Sequence, residues 1–314
     1  MRFALMIEGQ MGLSYEDQLA IVRRAESAGF EAFLRSDHYQ SFPGPEDAPT
    51  TDAWAVLAGL ARDTARIGLG VLVSPVMYRL PGNFAKVVTT VDEMSGGRIE
   101  VGMGAGWNEP EHRQHGFPFP PIEVRAEMLE EAVQVVRGLW AEPDGWSFSG
   151  KHYRIDGAVF HRKPGRPLNL ILGGGGSPRS MRLAARYAGE FNLTSSRPDQ
   201  AAEKYAYLDE ACRAIGRDPS SLVHSAMIGV LVAANEADLR RREVEMLEAI
   251  GPEEAADEWY SERRARWIIG TPEDAREAVR RFASAGVERI MLQDFLPRDL
   301  EMIDVMGAEL IGRV

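Results

Sequence analysis

The sequence contains few of the residues on which several classes of protein depend. It has one cysteine, Cys212, in 314 residues, so neither an intrachain disulfide nor a cysteine-based metal site can form. Only four of its basic residues are lysines, Lys86, Lys151, Lys163 and Lys204, and none of them lies at the end of a predicted strand. A barrel enzyme that works through a lysine Schiff base needs such a lysine on an inner strand, so this class is excluded.

Long apolar runs and an excess of positive charge are missing as well. No run approaches the ~18 residues that a membrane span needs, and the N-terminal apolar stretch reaches Glu8 too soon for a signal peptide. The formal net charge is −11, which disfavours binding to the phosphates of a nucleic acid. We therefore expect a cytoplasmic protein that binds a small molecule and has no nucleic-acid or membrane partner.

Short apolar stretches alternate with longer amphipathic ones along the chain. Several of the short stretches, such as 67–73, are apolar on both faces, which is typical of parallel strands covered by helices on both sides. The predicted strands are 2–8, 31–36, 67–73, 98–104, 168–173, 190–195, 224–232 and 287–293. Eight strands, each followed by helical sequence, favour an α/β fold of the (β/α)8 TIM-barrel type over an open sheet.

Two segments interrupt this alternation, and we interpret both as insertions in a single barrel domain over residues 1–314. Residues 141–166 are rich in glycine, proline and aromatic residues, and 146–153 within them predict a small hairpin. Residues 235–268 add a strongly charged helical stretch. The chain length suits one barrel with insertions.

The most specific candidate site follows the fifth predicted strand, because ligands of such barrels bind at the C-terminal ends of the strands. Four glycines and a serine form this loop: Gly173, Gly174, Gly175, Gly176 and Ser177. Backbone N–H groups exposed at the start of a helix form a phosphate site, although a glycine-rich turn that only packs closely has the same composition. Pro178 stands where the Rossmann fingerprint requires glycine, and no P-loop lysine follows.

Two other strand ends carry candidate residues. After the second strand, His38 is placed to act as a proton or hydride partner or as a structural hydrogen-bonding group. Its neighbour Asp37 can accept a hydrogen bond from a heterocycle N–H or cap a loop. At the fourth strand, Gly102, Gly104 and Gly106 are predicted to leave room for a flat ring.

Other catalytic arrangements are weaker. His112 and His115 are close in sequence but lie in a predicted loop, so no metal site is expected. Glu109 and Glu111 are interpreted as loop caps or helix starters rather than as an acid/base pair. We find no nucleophilic triad and no base-and-electrophile pair for a barrel isomerase.

Five motifs occur in a fixed order over nearly the whole chain: Ser36-Asp37-His38, the segment 78–109, Phe148-x-Gly150-x-His152-Tyr153, the four glycines 173–176 and Gly270-Thr271-Pro272-Glu273. Together they resemble the luciferase-like monooxygenase superfamily and are similar to its branch that uses the deazaflavin coenzyme F420. This resemblance implies the (β/α)8 barrel of that superfamily.

The resemblance also implies roles for single residues. Asp37 and His38 match a pair that faces the deazaflavin ring, and the loop Gly173–Ser177 matches the one that holds the phosphate. Leu72 and Val73, followed by Ser74, match a non-proline cis peptide bond behind the ring. Further matches concern the fourth strand and the substrate side: Gly106 and Asn108 are implied to contact the cofactor, and Tyr39 and Trp107 the substrate.

The function implied is an F420-dependent oxidoreductase that transfers a hydride between the coenzyme and a small organic substrate, with His38 as the catalytic residue. Ala105 stands where some relatives that oxidise sugar phosphates carry a catalytic glutamate, which argues against a sugar phosphate as substrate. The alternatives are an FMN-dependent two-component monooxygenase, which needs a flavin reductase as partner, and a flavin-binding barrel without turnover. A homodimer is expected because relatives pair.

Overall fold

The computed structural model describes residues 1–252 and 255–314, and within them eight parallel strands close into a barrel. The strands in chain order are β1 (Arg2–Ile7), β2 (Ala32–Arg35), β3 (Gly68–Pro75), β4 (Ile99–Gly104), β5 (Trp146–Ser149), β6 (Arg154–Ala158), β7 (Asn169–Gly174), β8 (Glu190–Thr194), β9 (Val223–Val232), β10 (Ile268–Gly270) and β11 (Arg289–Asp294). The barrel runs β1-β2-β3-β4-β7-β8-β9-β11 and closes by pairing β11 with β1. Each barrel strand lies at a predicted strand, so the prediction of a (β/α)8 barrel is confirmed.

Helices surround the barrel. They are α1 (Tyr15–Ala28), α2 (Ala53–Asp63), α3 (Pro81–Ser95), α4 (Glu109–His115), α5 (Ile122–Ala141), α6 (Pro178–Tyr187), α7 (Pro198–Ala214), α8 (Glu236–Ile250), α9 (Ala256–Arg264), α10 (Pro272–Ser284) and α11 (Leu300–Leu310). Local sequence sets their ends: Ser14 and Asp17 form a capping box at the start of α1, and Gly29 ends it at φ 92°. None of the helices in the described ranges combines the length and the hydropathy of a bilayer-spanning segment.

Three features lie outside the repeated pattern: a hairpin, a pair of helices and a short strand. β5 and β6 pair as an antiparallel hairpin, and α8 and α9 occupy most of the charged segment predicted to be helical. The strand β10 was not predicted: Ile268 pairs with Val230 and extends the sheet beside the C-terminal half of β9. Three residues are too short for a period-two pattern to be recognised in the sequence.

Side chains fill the interior of the barrel below its mouth. At the N-terminal ends of the strands, Arg289 forms ion pairs with Glu100 (2.7 Å) and Glu190 (2.9 Å). Burial would lower the pKa of Arg289, but the charges of these carboxylates raise it. The middle layer is apolar: Ala4, Met6, Ala32, Leu34, Leu72, Ile171 and Met291. Only the C-terminal end of the barrel therefore has room for a ligand.

Candidate active site at the barrel mouth

A histidine and a buried glutamate from different elements meet at the mouth of the barrel. His38 follows β2, and its Nδ1 lies 2.9 Å from Oε2 of Glu111, which is on α4. The Glu111 side chain is completely buried, whereas 13% of the His38 side chain is exposed. The pair thus joins a buried carboxylate to a ring that reaches solvent.

The surroundings of Glu111 determine the state of the histidine ring. Burial would raise the pKa of Glu111, but the hydrogen bond and charge of His38 hold it below its usual value. An ionised carboxylate only accepts hydrogen bonds, so Nδ1 of His38 carries the proton. The other ring nitrogen, Nε2, is then the basic one in the neutral ring, and it makes no hydrogen bond to any residue that the structure describes.

The same carboxylate fixes the loop after β2. Its Oε1 accepts hydrogen bonds from the backbone N–H groups of Tyr39 and Gln40, the second at 3.1 Å. On the other side, the amide of Asn108 donates to Oε2 at 3.4 Å. Glu111 therefore positions the loop, the ring and its tautomer together.

This arrangement corrects two interpretations made from the sequence. The segment that contains His112 and His115 is the helix α4 rather than a loop, with Gly116 ending it at φ 72°. Glu111 does stand in the first turn of α4, but its side chain turns inward to His38. Glu109, by contrast, is exposed. Helical periodicity was hidden because α4 has only seven residues and is followed by a proline-rich stretch.

Asp37 lies beside the histidine in sequence but belongs to a buried ionic network. Its Oδ2 accepts hydrogen bonds from Ser74 (2.8 Å) and from Arg79 (2.6 Å). Arg79 also contacts Asp52 at 2.5 Å and the hydroxyl of Tyr39 at 3.1 Å. Burial would lower the pKa of Arg79, but the charges of both carboxylates raise it. The side chains of Asp37, Ser74 and Tyr39 are thus engaged inside the protein, and their predicted contacts with cofactor or substrate stay predictions.

An aromatic cluster covers one side of the mouth. The ring of His38 makes edge contacts with Phe42 and Trp107, at centroid distances of 4.5 and 5.8 Å. Trp107 is 66% exposed, an unusual position for the largest aromatic side chain. Tyr39 points elsewhere, because its ring packs against Tyr78 and its hydroxyl enters the Arg79 network.

The floor of the mouth is formed by Val73. The peptide bond between Leu72 and Val73 is cis, as the resemblance implies. A Cβ atom at Gly104 would lie 2.6 Å from Cγ2 of Val73, and one at Gly102 would lie 2.9 Å from its Cγ1. Gly104 therefore makes room for Val73, and Gly102 makes room for the backbone carbonyl of Val71 as well as for Val73. The sequence had predicted that both would leave room for a flat ring. A Cβ at Gly173 would also approach Cγ1 of Val73, at 3.0 Å.

Two of the predicted cofactor residues of the fourth strand have structural contacts of their own. Gly106 has φ +71°, and a Cβ atom there would meet the Met77 side chain at 2.8 Å. Asn108 is 8% exposed, with its amide against Glu111 and its carbonyl accepting from His112 at 2.8 Å.

The glycine-rich loop opens onto free space. A Cβ atom at Gly174 or Gly175 would have no neighbour within 4 Å, and Ser177 caps α6 by accepting a hydrogen bond from the Ser180 N–H at 3.2 Å. Lys204 on α7 reaches over and donates to the carbonyl of Gly175 at 2.7 Å. This lysine was not predicted from the sequence, and it brings a positive charge to a helix N-terminus.

A polar group at the strand ends was also missed. Glu8, just after β1, accepts hydrogen bonds from the amides of Gln10 (2.9 Å) and Gln293 (2.5 Å), and Ser36 donates to Gln10. All four are nearly buried. The period-two alternation from the inward-facing Met6 would have placed Glu8 inside the mouth.

In the described residues, no group of three or more histidine, cysteine, aspartate or glutamate side chains is arranged to hold a metal ion. The closed barrel, its ligand-accessible mouth and the hydrogen-bonded pair of His38 and Glu111 define a (β/α)8-barrel enzyme. More specifically, the chain belongs to the luciferase-like monooxygenase family, whose model matches residues 1–289, and it is an oxidoreductase.

The relatives of known activity include both a dehydrogenase and a monooxygenase. An F420-dependent glucose-6-phosphate dehydrogenase of Intrasporangium calvum is 27% identical over 92% of this chain and 91% of its own. The pyrimidine monooxygenase RutA of Stutzerimonas stutzeri is 29% identical over 80% and 70%.

Solved structures share the fold. An F420-dependent secondary alcohol dehydrogenase in complex with an F420–acetone adduct matches with a TM-score of 0.84 at 23% identity, over 99% of this chain and 98% of its own. The EDTA monooxygenase of Chelativorans matches with the same TM-score at 20% identity, over 100% and 94%. Together with the F420-dependent relative, the comparisons support a flavin or deazaflavin cofactor and leave open which of the two it is.

Proposed function

We propose that this protein is an F420-dependent oxidoreductase that transfers a hydride between the deazaflavin and a small organic alcohol or ketone. The observation that carries the proposal is the pair of His38 and Glu111, 2.9 Å apart at the mouth of the barrel. The relative from Intrasporangium calvum, a dehydrogenase that matches nearly the full chain, supports the choice of cofactor.

The pair suits a dehydrogenase because oxidation of an alcohol releases a proton as well as a hydride. The bound deazaflavin supplies a two-electron hydride acceptor. Nε2 of His38 takes the hydroxyl proton while the carbon–hydrogen bond yields its electron pair, which leaves the carbonyl product. Glu111 stabilises the imidazolium that forms, and in the reverse direction the imidazolium returns the proton to the carbonyl oxygen.

The residues present fit a phosphate-bearing flat ring. The loop Gly173–Ser177 has open space beside Gly174 and Gly175, and Lys204 and the start of α6 supply positive potential there. Val73 would support one face of the ring at the centre of the mouth. The substrate would then lie on the side of His38 and Trp107.

The first experiment is to titrate the purified protein with F420 and, separately, with FMN, following absorbance and fluorescence quenching. We expect tight binding of F420 and weak binding of FMN. The variant Lys204→Ala should weaken F420 binding, while Lys151→Ala, which removes an exposed lysine from the hairpin loop, should leave it unchanged. Its partner Glu127 is outside the mouth, so Lys151 is a matched control.

The opposite preference would refute the proposal. Tight FMN binding with weak F420 binding would indicate a two-component monooxygenase that requires a flavin reductase. A monooxygenase, RutA, is among the similar proteins. Binding of either cofactor without turnover of any alcohol, ketone, enone or imine would indicate a flavin-binding barrel without catalysis. We further propose a single domain over residues 1–314 and a homodimer, to be measured by light scattering after size exclusion.

A further inference from the structure

A large cavity lies beside the mouth on the side away from the glycine-rich loop. Its volume is about 510 Å³, within the range of small-molecule sites. It is bounded by the loops that follow β1, β2 and β11 and by α8. In the barrel order, β1 is four strands from β7, so the cavity and the proposed phosphate loop face each other across the mouth.

The cavity adjoins the catalytic pair through the chain itself. Pro43, which lines it, follows Phe42, whose ring contacts His38 at 4.5 Å. Met11, which also lines it, follows Gln10 of the buried polar group at the mouth. The walls of the cavity therefore include the residues that directly follow Phe42 and Gln10 in sequence.

The walls are mainly apolar. Besides Met11 and Pro43, they include Ala48, Ala249, Phe295 and Leu296. Phe295 is held in place by a stacked contact with Trp267, with centroids 5.4 Å apart and planes at 15°. Binding of a hydrocarbon chain against this apolar wall is favourable because it removes apolar surface from water.

The charged residues of the lining already have partners. Arg298 contacts Asp17 and the carbonyl of Gly12, each at 2.9 Å. Asp299 accepts a hydrogen bond from Arg242 at 2.7 Å. Glu245, the third charged residue of the lining, accepts one from an arginine on its own helix. A charged or phosphorylated ligand would be desolvated in the cavity without a new counter-charge from the described residues, which is unfavourable.

We propose that this cavity binds the hydrocarbon body of the substrate, which we infer to be an uncharged, predominantly apolar secondary alcohol or its ketone. This inference rests on the proposed function for its reactive group. The hydroxyl or carbonyl group points to Nε2 of His38, and the apolar body extends past Phe42 into the cavity.

The test uses a homologous series of 2-alkanols from 2-propanol to 2-decanol with the F420-loaded protein. Each CH₂ group transferred from water to an apolar site should raise kcat/KM about fourfold until the cavity is full. Ala249→Trp, which places an indole in the cavity, should abolish this dependence on chain length. Ala48→Trp tests the same wall from another loop, and Ala283→Trp, on the exposed face of α10, is the matched control that keeps the dependence.

A binding measurement separates this inference from the proposed function. Calorimetric titration with 2-decanone should show saturable binding to the wild type and to Ala283→Trp, and at least tenfold weaker binding to Ala249→Trp and Ala48→Trp. Equal binding to all four proteins, or none to the wild type, would overturn the cavity assignment even if F420 binds. Failure of F420 to bind, with the pattern for 2-decanone as expected, would instead overturn the cofactor and leave the cavity assigned.

Discussion

Replacing Glu111 by glutamine tests the central pair, because this change keeps the shape of the side chain and removes its charge. The carboxylate accepts hydrogen bonds from His38, Tyr39, Gln40 and Asn108. A glutamine amide has one oxygen and one NH₂ group, so at least one of these donors then faces another donor. A buried donor without a partner costs roughly 1–3 kcal/mol, and we expect Glu111→Gln to lower the free energy of unfolding by that amount.

The effect on turnover should be larger than the effect on stability suggests. Without the carboxylate, the Nδ1 proton of His38 loses its acceptor, and the ring can place its proton on Nε2, where it no longer acts as a base. General-base catalysis contributes roughly 10²–10⁴-fold, so we expect kcat for alcohol oxidation to fall by about 10²-fold or more. The affinity for F420, measured by fluorescence quenching, should change little because none of the hydrogen-bond partners of Glu111 belongs to the glycine-rich loop.

The matched control is on the same helix. Glu109→Gln removes a charge from the exposed side of α4, two residues away, and should leave kcat within twofold of wild type. Steady-state kinetics at several pH values and urea unfolding of both variants complete the comparison. If Glu111→Gln retained more than half of the wild-type kcat while binding F420 normally, the mechanism in which Glu111 holds His38 as the general base would be wrong.

Three further changes test the electrostatics and the backbone. Burial raises the pKa of Asp294 to about 7 from 3.8, so the folded state holds a proton that the unfolded state loses. The free energy of unfolding should therefore fall by roughly 1.4 kcal/mol per pH unit between about pH 4 and 7. At pH 8, Asp294→Asn should be more stable than wild type by up to about 4 kcal/mol. Gly106→Ala should cost roughly 1–2 kcal/mol from its positive φ, and more because the new Cβ approaches Met77. Arg79→Met leaves the buried carboxylate of Asp37 without its counter-charge and should lower the free energy of unfolding by roughly 3–5 kcal/mol.

Each of these changes has an outcome that contradicts it. Thermal or urea unfolding measured from pH 4 to 8 would contradict the reasoning on Asp294 if the asparagine variant followed the wild-type pH dependence. Gly116→Ala has nearly the same φ and no neighbour for its Cβ, so an equal loss in both glycine variants would exclude the contact with Met77. For Arg79, a variant as stable as wild type would mean that the carboxylate network contributes nothing to folding.

The architecture could be predicted because it depends on patterns within short stretches of sequence. The eight barrel strands are apolar stretches between helical ones, and strands such as β3 are covered on both faces. β10 and α4 could not be predicted in the same way because three and seven residues are too few to show a period. Their existence depends on neighbours that are distant in sequence.

The site could be predicted by position but not by contact. His38 and the glycine-rich loop were found because they stand at strand ends, where barrels bind ligands. The partner of His38 is 73 residues away, and no local pattern separates its carboxylate from that of Glu109. The roles of Gly102 and Gly104 were misread for a related reason: the Val73 side chain and the Val71 carbonyl, which fill the space beside them, come from the neighbouring strand β3.

The ion pairs at the N-terminal end of the barrel affect the order in which ligands bind and leave. Arg289 and its carboxylates, with the apolar layer above them, seal the lower end. Cofactor and substrate must then enter and leave through the mouth of the barrel. If a flat cofactor ring rested on Val73, it would lie beneath the substrate. Binding would then be ordered: the substrate would bind after the cofactor, and the product would leave before it.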